Sequence, residues 1–210
     1  IAAGHDVEAP RLPGHGTHVD DLLDLRWGDW LDATLATFDV LSRRVDRTVV
    51  IGQSMGATLS LAVALGRPAV AGLVCINPAA QARTPDEMAL IDDLLADGLE
   101  VVPGEGSDIA DPDGFDITYD GTPLRAVRSF LVDGVAPISD RFGELSMPLH
   151  LLTSRHDHVV PPADSEHLAA AYGGPVEHTW LERSYHVATR DLDRELVEAV
   201  SVRFVDEVTS

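Results

Sequence analysis

Two short apolar runs with a helix pattern between them constrain this chain most. Thr48 to Gly52 (TVVIG) is rich in β-branched residues, and Ala71 to Ile76 (AGLVCI) stops at Asn77-Pro78. Neither alternates polar with apolar, so each suits a strand buried on both faces. Ala57 to Leu65 between them is small and apolar and predicts a buried helix. The alternation continues, with a strand at Leu149 to Thr153, a helix at Ala163 to Ala171, a strand at Val176 to Leu181 and a helix from Leu192 to Val208. Upstream, Trp30, Leu31, Leu35, Phe38 and Leu41 recur at helical spacing, which predicts an amphipathic helix over Asp29 to Arg44. Gly4 to Ala9 reads as a short extended stretch. Strands alternating with helices define an α/β chain with a mostly parallel sheet flanked by helices.

One segment interrupts that order. Helical patterns at Glu87 to Leu95 and Leu124 to Val132 are separated by a polar stretch holding Asp108, Asp111, Asp113, Asp116 and Asp120. About 65 residues between two buried strands exceed a plain crossover. Residues 80–146 are therefore expected to form an inserted cap or lid, and residues 1–79 and 147–210 the core. The aspartates lack the spacing of a calcium loop, so an exposed, partly mobile loop is the reading preferred to a metal site.

Charge excludes several functions. The formal net charge is −20, and all 15 basic residues are arginine. Without lysine there is no Schiff-base chemistry and no Walker-type phosphate loop. An acidic surface repels phosphate backbones and anionic lipid, so neither nucleic acid nor stable membrane insertion is expected. The lone Cys75 cannot form an intrachain disulfide, and no leader is visible, so a cytoplasmic location is expected.

Chemistry concentrates at Gly52-Gln53-Ser54-Met55-Gly56, a G-x-S-x-G between strand and helix patterns. In such a sharp turn the glycines admit neighbouring backbone and the Ser54 hydroxyl stands exposed above the sheet, at a helix N-terminus. A plain glycine-flanked turn is the alternative. A serine nucleophile needs a base oriented by a carboxylate. The strand at Leu149 to Thr153 runs into Ser154-Arg-His-Asp-His158, which makes Asp157 the candidate acid. The strand at Val176 to Leu181 runs into Glu182-Arg-Ser-Tyr-His186, which makes His186 the candidate base. Either could instead be a loop residue that shapes its turn. His156 and His158 could pass for a metal pair, but alternate loop residues point apart and no third ligand is near in sequence; no metal or cofactor is expected. His15 and His18 read as loop-shaping. His5, His150, His167 and His178 read as strand or surface residues, and Cys75 as packed.

The order GHG (Gly14–Gly16), GQSMG, RHDHVVP (Arg155–Pro161) and SYHV (Ser184–Val187), with Trp27 and Trp30 ahead of a helix, resembles the α/β-hydrolases, and within them bacterial carboxylesterases and monoacylglycerol lipases. The resemblance implies an α/β-hydrolase fold with Ser54 as nucleophile, Asp157 as orienting acid, His186 as base and the Met55 N–H as one oxyanion donor. It also implies earlier strands and a second donor on a loop upstream of Ile1, with Ile1 to Gly4 ending a first helix, so the N-terminal strands of the fold are expected to lie outside the given chain. Tyr185 stands where many relatives have glycine, which implies a narrower entrance beside His186. The implied activity is hydrolysis of uncharged short- to medium-chain esters or monoacylglycerols through an acyl-enzyme. The acyl pocket would be built from Leu90, Leu94, Leu95, Phe130 and Leu131. The same fold also serves C–C bond or amide hydrolysis, or binding without catalysis.

Overall fold

The two apolar runs pair directly with each other. In the computed structural model, which describes residues 3–104 and 106–210, β1 (Thr48–Gln53) lies parallel to β2 (Val70–Ile76), with Gly52 opposite Cys75. β2 pairs in parallel with β5 (Leu149–Ser154), and β5 with β6 (Val176–Leu181), giving one four-stranded sheet of order β1-β2-β5-β6. Successive side chains point to opposite faces. Leu73, Cys75, Leu149 and Leu151 therefore face one apolar cluster with Phe38 and Leu61. Val74, Ile76 and Leu152 face another, against Val197, Val200 and Phe204. Helices α1 (Trp27–Leu41), α2 (Met55–Gly66) and α6 (Pro162–Ala171) cover the first face, and α7 (Arg194–Thr209) the second. Gly72 is small because a Cβ there would sit 3.0 Å from the Phe204 ring.

The segment expected to form an inserted cap lies between β2 and β5. Helix α3 (Pro85–Ala96) opens with a capping box: Thr84 Oγ accepts from Glu87 N–H at 3.3 Å, and Glu87 accepts from Thr84 N–H at 2.7 Å. Strands β3 (Val101–Pro103) and β4 (Gly121–Pro123) form an antiparallel pair that periodicity did not predict. The helix expected over Leu124 to Val132 is α4 (Leu124–Ser129), which widens into a π-helical segment at Phe130–Val135 before α5 (Ala136–Ser139). Pro137 cannot donate to the turn ahead of it and crowds that turn, which accounts for the widening.

Gly4 to Ala9 is not a strand. Its polar residues meet α7 and the turn after α1: His5 Nε2 meets Asp206 at 2.9 Å and Arg44 donates to Glu8 at 2.6 Å. Of the helix end expected over Ile1 to Gly4, Ile1 and Ala2 lie outside the described residues, and Ala3 and Gly4 form a turn and a bend rather than helix; the second oxyanion donor expected ahead of Ile1 also lies outside them.

Candidate active site

Ser54 sits between β1 and α2 with φ 54° and ψ −124°, a conformation that L side chains rarely adopt. Its N–H donates to the Ile76 carbonyl at 2.9 Å, and its carbonyl accepts from Ala57 N–H at 2.9 Å, so the chain reverses within one residue. Gly52 permits the reversal: a Cβ there would overlap the Gly56 carbonyl and lie 2.6 Å from Ala57 N. Gly56 has open space around the same position, so only the first motif glycine is sterically obligatory. Met55 is the first residue of α2, where backbone N–H groups have no intrahelical acceptor.

Asp157 and His186 meet on adjacent strand-end loops. His186 Nδ1 lies 2.7 Å from Asp157 Oδ2, with the two side chains 9% and 2% exposed. The other carboxylate oxygen accepts the N–H groups of Val159 and Val160, each at 2.8 Å. An ionised carboxylate only accepts, so Nδ1 carries the proton and Nε2 offers its lone pair. Among the described residues no hydrogen bond joins Ser54 Oγ to His186. Such contacts tighten when substrate is bound.

The main chain around His186 is held from several sides. Asn77, buried with φ 46°, directs Nδ2 to the His186 carbonyl at 2.8 Å and to Ser154 Oγ at 3.0 Å, while its Oδ1 accepts from Ser154 N–H at 2.7 Å. Gln53, inside the serine motif, accepts from Thr189 Oγ at 2.9 Å. Asp191, fully buried, accepts from Tyr185 N–H at 2.8 Å and from Ala110 and Asp111 N–H at 2.9 Å. In the sequence Asn77 reads only as a strand stop, Asp108 only as one of five loop aspartates and Gln53 only as part of the serine motif, and Asp191 carries no signal.

The aspartate-rich stretch is irregular and exposed at Asp113 and Asp120, in line with the loop expected, but it is tied to the core. Asp108 accepts from the His186 and His158 N–H groups at 3.1 Å and pairs with His158 Nδ1 at 2.8 Å. Arg190 donates to the Phe115 carbonyl at 2.9 Å, and Tyr119 to the Gly14 carbonyl at 2.6 Å. Asp108 thus meets the His186 and His158 N–H groups and the His158 ring, and Asp111 lies 3.6 Å from Arg194. Burial alone would raise the Asp108 carboxyl, but the donors from His158 and His186 hold it below the ordinary aspartate value.

The expected acyl-pocket residues separate. Leu90 is 65% exposed, and no residue of α3 is buried. Leu95 lines a cavity of about 340 Å³ with Arg26, Arg125 and Arg128, a polar setting rather than an acyl slot. Phe130 stacks on Trp27 at 5.9 Å and shares an apolar cluster with Met55. Phe130 and Leu131 also pack with Ala79, Val135 and Val160. Tyr185 is half-buried, its ring edge-on to His158 at 4.5 Å.

His15 and His18 shape their turn: His15 Nδ1 meets the Pro13 carbonyl at 3.0 Å, and His18 caps Asp20 N–H at 3.3 Å. His150 and His178 are strand residues bonded to Thr179 and Thr153, each at 2.9 Å. Cys75 is fully buried, and burial pushes its thiol up to about 12.

A parallel sheet with a strained serine elbow after one strand, and a buried aspartate–histidine pair on the loops after two later strands, defines the α/β-hydrolase class. The alpha/beta hydrolase family profile matches residues 1–199, and the chain belongs to that family. It is an esterase- and lipase-like enzyme within it. It is similar to the thermostable monoacylglycerol lipase of Bacillus sp. (strain H-257), 31% identical over 205 residues that span 96% of this chain and 80% of the relative. It is 22% identical over 210 residues to a carboxylesterase of Bacillus subtilis (strain 168), spanning 98% and 82% of the two chains. A solved structure from the metagenome-derived lipolytic enzymes LipS and LipT superposes with a TM-score of 0.86 at 32% identity, over 94% of this chain and 80% of that one. No helix among the described residues is long and apolar enough to cross a membrane.

Proposed function

We propose that the protein hydrolyses uncharged short- to medium-chain carboxylic esters or monoacylglycerols through an acyl-enzyme on Ser54. The observation that carries this reading is the buried 2.7 Å contact of His186 with Asp157, at the same strand ends as the Ser54 elbow. In this mechanism Ser54 Oγ adds to the ester carbonyl carbon while its proton passes to His186 Nε2. The carbonyl electron pair moves onto oxygen, where the Met55 N–H and the N-terminal dipole of α2 stabilise it. Collapse breaks the bond to the alcohol, which leaves with the proton from His186. Water then adds to the acyl-enzyme with His186 again as base, and the carboxylic acid departs as Ser54 recovers its proton. Asp157 keeps the imidazole in the accepting tautomer and stabilises the imidazolium that forms. No step calls for a cofactor. In this reading residues 80–146 act as a cap, with Phe130, which shares an apolar cluster with Met55, on the acyl side. Nothing in the chemistry requires an oxidising compartment, in keeping with a cytoplasmic enzyme.

A fluorophosphonate probe tests the assignment. It should add one adduct, mapped to Ser54, to the wild-type protein and none to Ser54→Ala. The variant should lose on the order of 10³-fold or more in p-nitrophenyl ester turnover, because members of such a unit act together. Retention of more than about a tenth of the activity by folded Ser54→Ala would overturn the nucleophile and the function with it.

A further inference from the structure

The catalytic histidine proposed above is anchored by a residue of the insertion. Asp108 and His186 are 78 residues apart in sequence, yet the Asp108 carboxylate accepts the His186 N–H at 3.1 Å. The same Oδ2 accepts the N–H of His158, next to Asp157, also at 3.1 Å. Oδ1 meets the His158 ring at 2.8 Å, and the Asp108 carbonyl accepts Val187 N–H at 3.1 Å. One side chain, 17% exposed, thus ties together the two loops that carry the acid and the base. On the other side, the His186 carbonyl is held by Asn77 from the end of β2. The main chain at His186 is clamped between the core and the insertion, and Asp157 then fixes the ring.

We infer that Asp108 is a positioning residue for ester hydrolysis: it holds the His186 backbone and the Asp157 loop in the spacing the reaction needs, and so makes catalysis depend on the docked insertion. The inference rests on Ser54, Asp157 and His186 acting as proposed. A displacement of the base by about 1 Å can cost on the order of 10²-fold in rate without changing how substrate binds. Loss of the clamp should therefore appear in kcat rather than in KM. An amide in place of the carboxylate keeps an oxygen that can accept both N–H groups, whereas a methyl keeps none.

The experiment begins with fluorophosphonate labelling of the wild-type enzyme, followed by steady-state kinetics of Asp108→Ala and Asp108→Asn on a p-nitrophenyl ester. Asp108→Ala should lower kcat by about 10- to 100-fold with KM within about twofold, and Asp108→Asn should recover kcat to within about threefold of wild type. Wild-type kcat in folded Asp108→Ala overturns the inference. So does a fall in kcat matched by an equal rise in KM, or an asparagine variant as slow as the alanine one. If Asp108→Ala does not fold, Asp108→Ser replaces it: slower turnover than Asp108→Asn at equal KM supports the clamp, and equal turnover overturns it. Failure of the wild-type enzyme to label at Ser54 removes the underlying function as well, which separates the two failures.

Discussion

His150 shows what a single buried side chain contributes to pH response. It is 1% exposed, its Nε2 bonds Thr179, and among the described residues its Nδ1 has no hydrogen-bond partner, although Glu177 Oε2 lies 3.4 Å away. Burial holds its imidazole below the ordinary histidine value, with the Glu177 charge pulling the other way. Burial lowers His178 likewise. The unfolded chain therefore binds protons before the folded one as pH falls. The contribution is fully present above about 6.5 and is lost as acidification passes through that value toward the folded pKa. Thermal unfolding should show a lower Tm at pH 5.5 than at pH 7.5, and His150→Phe should shrink that difference. An unchanged pH dependence in the variant would mean that the acid sensitivity resides elsewhere. Ser54 carries a different cost: its φ of 54° stores on the order of 1–3 kcal/mol of backbone strain, kept only because the elbow exposes the hydroxyl.

At the scale of elements, the widened turn at Phe130–Val135 couples the insertion to α1. Gly134 faces the Trp27 indole, and a Cβ there would lie 2.7 Å from two of its ring atoms. The ring is hemmed in by Phe130, and the Trp27 N–H is bonded to Ser129 Oγ at 3.0 Å, so it cannot easily retreat. Gly134→Ala should cost about 1–3 kcal/mol by overpacking. Gly143→Ala, whose Cβ would meet only the Ala171 carbonyl at 3.6 Å, should be nearly neutral. Denaturant titration of both variants decides it; equal losses would show that the Trp27 contact yields without cost. Helix α3 shows the limit of pattern reading. Its helical pattern was plain in the sequence, but none of its residues is buried, so Leu90 does not build the pocket expected of it.

Over the whole molecule, a net charge of −20 should disfavour anionic substrates. The arginines are largely answered by acids: Arg83 by the buried Asp164 at 2.9 Å, Arg67 by Asp39 at 2.8 Å, and Arg155 by Glu182 at 2.8 Å. An anionic acyl donor approaches against this field, and the repulsion is strongest at low salt. Kinetics should favour a simple ester over the acyl-CoA of the same chain length in kcat/KM, with the gap narrowing as salt is added. A preference for the thioester would overturn this reading of the charge.

The strands, the two main core helices and the elbow were legible because their causes are local. Apolar runs without alternation, helical spacing and a glycine two residues before Ser54 act within about a dozen residues, and the backbone obeys them before any distant contact forms. The chain order likewise singled out Asp157 and His186 on loops that β5 and β6 bring side by side. What holds those loops was not legible. Asp108 to His186, Asn77 to the His186 carbonyl and Asp191 to Ala110 join residues 78, 109 and 81 positions apart. Each pairs an ordinary polar side chain with a backbone group, and backbone groups are the same at every residue. No sequence pattern marks such a partner. Only the packed chain decides which N–H comes within 3 Å of which oxygen, and so turned a stretch that reads as a free acidic loop into the strut beneath the candidate base.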